Sequence, residues 1–456
     1  MKNSLKHKLL NTHDVLEKIV KEAKKNGATE VDAMISKTRG LSVSIRNGKE
    51  ETIERYDSFD IGLRVFVGKR NSIISTNLSS ENHLKDFATK AVEMAKIAPE
   101  DKYCKIATNE LLEKYPINMS LDLQTYDKTE LTVQDLKIKA LDTEEYALAI
   151  SKKLKSDGAE SSWGQNETTL MTSNGFLGKK KKSVNSISSV MIAKKSDKME
   201  RDYDFSSKIF VKDLDNPKLI GEKAGNNALS KLGSIKPKTG TYPVMFVPRV
   251  ARSVLGHIAS ALNGASIARG TSFLKDCFKK QVFSKDLNII DNPILRKGPG
   301  SRLFDGEGIG TREIRFINAG VLDNWLLDIG TGIQLNMETN GNAVRGLNGP
   351  PSPGTSNFIL LPGKYTPNEL MKDIKEGFLI TELIGSSVSL ITGDYSRGAS
   401  GFWIKNGQIS HPISEATIAG NLKDIFQQII AANDIDYSFS LACPTLMIEK
   451  MVVAGS

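Results

Sequence analysis

Cysteine is scarce in this sequence. Cys104, Cys277 and Cys443 are the only three in 456 residues, odd in number and widely spaced. That spacing excludes a disulfide framework and a zinc ribbon, and fits reduced thiols in a cytoplasmic setting. Histidine is almost as rare. His7, His13, His83, His257 and His411 are the full set of five, and no two stand three, four or five positions apart. A helical zinc site needs at least one such pair to converge on an ion, so no metal ligand is assigned in this chain. Long apolar runs are missing too: nothing approaches the roughly 20 residues of a membrane helix. Met1 to Leu10 is basic but lacks the apolar run of a signal peptide. No Gly-x-Ser-x-Gly elbow is present. Gly393 to Ser400 has P-loop spacing, but Ala399 stands where the lysine must be, which removes the contact to the β- and γ-phosphates. No catalytic residue is therefore assigned.

The formal charge is +9, spread along the chain apart from one dense run, Lys179-Lys180-Lys181-Lys182, just after Asn174-Gly175 and Gly178. The run is expected to be a solvated loop. It has no interleaved aromatics of the kind that bind single strands, and no recognisable DNA-binding motif accompanies it. Nucleic acid is not an expected partner, and neither is a membrane.

With 39% hydrophobic and 25% charged residues the composition is that of an ordinary globular protein, long enough for about two or three domains. Asp14 to Lys25 has a helical apolar face (Val15, Ile19, Val20, Ala23) and stops at Asn26-Gly27. Val31 to Ile35 and Leu41 to Ile45 alternate as two half-buried strands. Asn47-Gly48 turns the chain into Lys49 to Arg55, and Ile61 to Val67 and Asn71 to Ser75 continue the meander. A helix over Leu84 to Ala95 ends before Pro99. After a connector with little pattern, a helix (Val133 to Lys153), a strand region (Ala159 to Phe210) and a helix (Pro217 to Leu232) repeat the same order without repeating sequence. Gly233 to Thr241 reads as a linker. Beyond it come a strand at Tyr242 to Val247, a helix at Arg249 to Leu262, short apolar runs, and a last helical period at Leu422 to Ala432. The expected fold class is α+β: helix and antiparallel-sheet modules over 1–100 and 126–233, then a mostly β domain over 241–456 carrying one helix.

The most distinctive stretch runs from Ile391 to Leu422. Gly393, Asp394, Tyr395, Ser396, Arg397, Gly398, Ala399, Ser400 and Gly401 lead into Phe402-Trp403-Ile404, and Asn406-Gly407 gives a strong hairpin signal. The glycines permit close backbone approach, while Tyr395 and Arg397 supply a ring and a fork of donors. From the residues alone, a tight turn in a sheet explains the pattern as well as a binding surface does. GDYSRGASGFWIKNG followed by TIAGNLKDIF resembles the PmbA/TldE family, one half of the TldD/TldE metalloprotease pair. GLRVFVGKR around Arg64 carries the resemblance into the N-terminal region.

The resemblance implies a heterodimer with a zinc-bearing TldD-like paralogue, acting on unfolded or peptide substrates. It places the 249–262 helix where catalytic subunits carry His-Glu-x-x-x-His. Anchored on Leu262 and Gly264, Leu255 and Ser260 fall in the two histidine slots and Gly256 in the glutamate slot, with His257 one position further on. On this reading the chain holds no cofactor, zinc belongs to the partner subunit, and His257 is a packed or surface histidine. Catalytic subunits also use a cysteine near the C-terminus. Cys443, in Cys443-Pro444-Thr445-Leu446, has no partner nearby in sequence and reads as a small buried thiol. Asp394, Tyr395, Arg397, Gly398 and Ser400 are the candidates for contact with substrate or partner. Two other readings remain open: a stand-alone or homodimeric hydrolase with an unrecognised site, and a nucleic-acid-associated modulator, as an older description of the family suggests.

Overall fold

The computed structural model describes residues 11–455. Met1 to Leu10, with the basic stretch and His7, lie outside them. The N-terminal half contains α1 (Thr12–Lys25), β1 (Glu30–Arg46), β2 (Lys49–Val67), β3 (Arg70–Thr76), α2 (Glu81–Ile97), α3 (Asn109–Lys114), α4 (Val133–Ala149), β4 (Leu154–Thr172), β5 (Leu177–Lys195), β6 (Lys198–Lys208) and α5 (Pro217–Ser230). The six strands form one sheet in the order β3-β2-β1-β4-β5-β6. The helix–meander–helix modules therefore share a continuous sheet, joined where β1 and β4 run antiparallel from Asp32↔Thr172 to Ile45↔Ala159. The two short strands expected at Val31 to Ile35 and Leu41 to Ile45 are one strand, because Ser36 to Gly40 between them also pair on both sides. Asn47 and Gly48 take positive φ (52° and 72°) to turn β1 into β2, as an Asn-Gly hairpin requires.

The two faces of this sheet differ. Val31, Ala33 and Ile35 point with Leu63 and Val65 at Leu16, Ile19, Leu84 and Ala88 of α1 and α2. Further along, Val43 and Ile45 meet Leu136 and Ala140 of α4, and Met191 and Ala193 meet Ala224 and Ala228 of α5. The opposite face meets the C-terminal half: Met34 and Leu170 pack on Phe304. Beside them Arg64 Nε donates to Asp32 Oδ2 at 2.7 Å, and Arg345 from the C-terminal half pairs with Asp32 Oδ1. Burial alone would raise the Asp32 carboxyl, but the guanidinium charges of Arg345 and Arg64 hold it below the usual carboxylate range.

The lysine run is not a loop. Residues 179–182 lie in β5, paired with Thr169 to Asn166 of β4. Alternation along the strand sends Lys179 and Lys181 to Glu167 at 2.7 and 3.0 Å, and Lys180 and Lys182 to the other face.

The C-terminal half begins with β7 (Gly240–Phe246), α6 (Pro248–Ala261) and α7 (Gly264–Ala268), followed by β8 (Ile289–Asp291), β9 (Ile314–Asn318), β10 (Val321–Leu322), α8 (Ile329–Gln334), β11 (Ala343–Val344), β12 (Ser352–Pro353), β13 (Phe358–Leu360) and α9 (Pro367–Met371). It ends with β14 (Glu376–Val388), β15 (Asp394–Lys405), β16 (Gln408–Asn421), α10 (Leu422–Gln427), β17 (Ile429–Ala431), β18 (Leu441–Ala442) and β19 (Leu446–Ala454). One sheet runs β16-β15-β14-β7-β19-β17, and β16 also pairs with β19, so five of its strands close on themselves. A second runs β10-β9-β8-β13-β18. The architecture is α+β with a β-rich C-terminal region, as the sequence leads one to expect. The last helix is shorter than its apolar period: after Gln427 the chain extends, and Ile429 to Ala431 pair with β19 instead. No helix among the described residues is long and apolar enough to cross a membrane.

Candidate functional site between α6 and the glycine-rich hairpin

Pro248 opens α6 at a position that needs no N–H donor. Val250, Ala251, Val254, Leu255, Ile258 and Ala261 form its buried stripe, packed with Phe246, Phe378, Trp403 and Ile418 of the closed sheet. β15 and β16 form the expected hairpin, with Lys405↔Gln408 as the last pair and Asn406 and Gly407 both at positive φ. Tyr395 is 3% exposed, and its ring meets the edge of His257 on α6 at 5.9 Å between centroids. Sequence reading left His257 unconnected to this stretch; the fold brings them together.

Tyr395, Arg397 and His257 form a polar cluster inside an apolar surround. Tyr395 Oη and His257 Nε2 are buried without a hydrogen-bond partner. Burial pushes the phenol up to about 12, against the opposing charge of Arg397. Burial and then the Arg397 charge push the His257 imidazole down, favouring its neutral form. Arg397 Nε donates to the Gly385 carbonyl of β14 at 2.8 Å, which ties the hairpin to its neighbour.

The other candidates serve the sheet. Asp394 Oδ2 accepts from Thr392 Oγ1 at 2.6 Å and Oδ1 from Asn421 Nδ2 at 3.3 Å, closing the turn before β15. A Cβ on Gly398 would stand 3.3 Å from the Ile384 carbonyl, and one on Gly401 would collide with the Leu379 carbonyl at 2.0 Å. The close approach these glycines allow is to β14. Ser400 accepts a long main-chain bond from Thr381 Oγ1 at 3.5 Å.

Zinc is the metal implied by the family resemblance, and the residues here do not fit it. Leu255 is fully buried among carbon atoms. Gly256 has no side chain, and Ser260 Oγ bonds the Gly256 carbonyl of its own helix at 2.8 Å. Cys443 shares a cavity wall with Arg249 and Arg252 of α6, but burial pushes its thiol far up, away from the thiolate a metal needs. Among the described residues no three His, Cys, Asp or Glu side chains are placed to hold a metal ion.

Two open cavities flank the N-terminal end of α6. The larger, about 970 Å³, lies between the N-terminal sheet and the loops at 295–299 and 436–440, lined by Tyr56, Gln165, Phe205, Lys208, Arg296, Tyr437 and Phe439. The smaller, about 430 Å³, holds Asp202, Arg249, Phe402 and Cys443. They share Phe205, Arg252, Asp436 and Phe439, and the Arg252 guanidinium lies 3.7 Å from the centre of the Phe439 ring. Arg252, Phe205 and Phe439 were not singled out by the sequence, because nothing local marks them; only the docking of the halves makes them neighbours. Docking is fixed by Asp202 of β6, which accepts from Arg249 Nη1 and Nη2 at 2.8 and 2.9 Å.

The chain as a whole has known relatives. Models of the PmbA/TldA metallopeptidases match in three parts: domain 1 over 31–95, the central domain over 121–232 and the C-terminal domain over 239–455. Metalloprotease PmbA of Escherichia coli O157:H7 is 31% identical, covering 99% of this chain and 100% of that protein. The metalloprotease PmbA homolog of Buchnera aphidicola is 30% identical over 95% of this chain and 94% of its own length. Among solved structures, a putative modulator of DNA gyrase from Bacteroides thetaiotaomicron is similar with TM-score 0.90 and 26% identity, covering 97% of this chain and 99% of that one. TldE from Thermococcus kodakarensis has TM-score 0.85 at 18% identity, with coverage of 97% and 100%, which shows a shared fold.

Proposed function

The chain belongs to the PmbA/TldA metallopeptidase family, and from that premise we propose that it is the subunit of a peptidase complex that carries no zinc. The observation that carries this reading is the chemistry of α6. The slots that the resemblance assigns to two histidines and a glutamate hold Leu255, Ser260 and Gly256, which offer neither a nitrogen ligand nor a general base. The partner is a TldD-like, zinc-bearing paralogue, and the substrates are unfolded or peptide chains. In this reading Asp394, Tyr395, Arg397, Gly398 and Ser400 belong to the surface that meets the peptide or the partner. Tyr395 and Arg397 face α6, and the other three hold the strand that presents them. A zinc held by the partner would supply the activation of water, while this chain shapes and desolvates the cleft wall.

Zinc loading tests the metal part of the proposal. Protein purified without metal, incubated with excess zinc and desalted, is expected to retain far less than one zinc per chain by elemental analysis. About one tightly held zinc per chain overturns it.

A further inference from the structure

All four residues of the lysine run line a separate cavity of about 250 Å³, walled by residues 121–126, β5 and residues 301–304. Lys180, Lys182 and Arg302 all contribute to its wall. Lys182 Nζ donates to the Pro299 carbonyl at 3.0 Å, and Lys180 Nζ sits 5.7 Å from the centre of the Phe304 ring. Neither contact neutralises a charge. Arg302 Nε and Nη2 are buried with no hydrogen-bond partner.

The nearby carboxylates of Asp291 and Asp305 act on Arg302 through their charge, but their hydrogen bonds go elsewhere. Asp305 accepts from the main-chain N–H groups of Glu307, Ile309 and Ala343. Asp291 accepts from Ser356 and Asn342. Asp122, in the cavity wall, accepts from the Gln124 N–H at 3.1 Å. Burial and the Arg302 charge push Lys180 down to about 8 against the opposing charge of Asp305, and burial with the Lys180 and Arg302 charges pushes Lys182 down to about 8. Lys180, Lys182 and Arg302 are half-buried; desolvated cations without a hydrogen-bonded anion are costly, and three from two parts of the chain around one cavity make a socket for negative charge.

We propose that the cavity bounded by Lys180, Lys182 and Arg302 binds a small oxyanion of the phosphate type, which bridges the N-terminal sheet to the 301–304 segment of the C-terminal half. Arg302 supplies a planar fork for two oxygens, and the lysines supply point charges. The site lies on the sheet face that docks the C-terminal half, so its occupancy raises the stability of the docked form by mass action.

The test is thermal melting of the full chain in inorganic phosphate, sulfate and chloride at matched ionic strength, with calorimetric titration of inorganic phosphate. Phosphate is expected to raise the melting temperature saturably and chloride is not. Lys180→Met and Arg302→Met should each lose the phosphate response. Lys180→Met should also melt higher than the parent in phosphate-free buffer, because it relieves repulsion. Lys194→Met, at an exposed position of β5 outside the cavity wall, should keep the response and controls for general charge loss. If Arg302→Met does not fold, Lys182→Met replaces it. A shift that chloride reproduces, a response that survives in the cavity variants, or no calorimetric binding overturns the proposal.

Discussion

Replacing Asp202 with asparagine removes one charge from the joint between the two halves while keeping the side-chain shape. Asp202 is 4% exposed and faces the Arg249 fork and Lys231 Nζ at 3.0 Å. Burial alone would raise its carboxyl, yet the Arg249 hydrogen bonds and the charges of Arg249 and Lys231 hold it below the usual value. Breaking a buried pair by removing one partner costs about 3–5 kcal/mol, because the surviving charge stays desolvated. Arg249 Nε keeps its bond to the Thr381 carbonyl at 2.7 Å, and Lys231 keeps Glu382 at 2.6 Å. Those contacts put Asp202→Asn at the lower end, about 3 kcal/mol. The assay is urea unfolding followed by fluorescence, since Trp163 reports the N-terminal sheet and Trp325 and Trp403 the C-terminal core. The Trp163 transition is expected to move to lower urea first. Arg249→Met added to Asp202→Asn should cost less than the sum of the two single changes. The sign with pH follows. The stabilisation from Asp202 is complete above the unfolded carboxyl value of about 3.9, and is lost as pH falls through the lower folded value. A loss under about 1 kcal/mol, the range of exposed pairs, would refute the reasoning.

Other consequences concern the site. Arg397→Glu is expected to leave the subunit folded, with about 1 kcal/mol lost at the Gly385 contact, but to lower peptidase activity of the mixed complex at least about tenfold, or roughly 1.4 kcal/mol in the barrier. Unchanged activity in the mixed complex, or unfolding of the variant, returns the stretch to a purely structural role. The same variant should raise the His257 pKa, seen by NMR titration, because the Arg397 charge that opposes protonation is gone. In the parent, the stability linked to neutral His257 is complete above the unfolded value of about 6.5 and is lost as pH falls through the folded value. Gly256→Ala should stabilise α6 by up to about 1 kcal/mol, because the new Cβ meets only Leu441 Cδ1 at 3.7 Å; a lower denaturation midpoint would show that the slot is filled.

Much of the fold was legible because alternation and helical period are local. Asn47-Gly48 and Asn406-Gly407 announced their hairpins, and the burial of Val31, Ala33 and Ile35 follows from a period of two. The lysine run misled because four like charges suggest solvent, whereas Glu167 opposite Lys181 pairs with both lysines of one face and the docking of the halves covers the other. The shortening of the last helix was also hidden, since Ile429 to Ala431 leave it to pair with β19, a contact no local period encodes. At the site, the glycines of β15 were visible but not what they approach, and the meeting of His257 with Tyr395 depends on how α6 crosses the sheet. Asp202 with Arg249, and Arg252 with Phe439, join residues whose proximity arises only when the halves dock.

The most direct measurement is a peptide digest with three samples: this chain, a zinc-bearing TldD-like paralogue, and the two mixed, each with and without chelator. The account predicts that cleavage of an unfolded peptide requires both chains and is abolished by chelator. Cleavage by this chain alone, whether chelator-resistant or zinc-dependent, would contradict it.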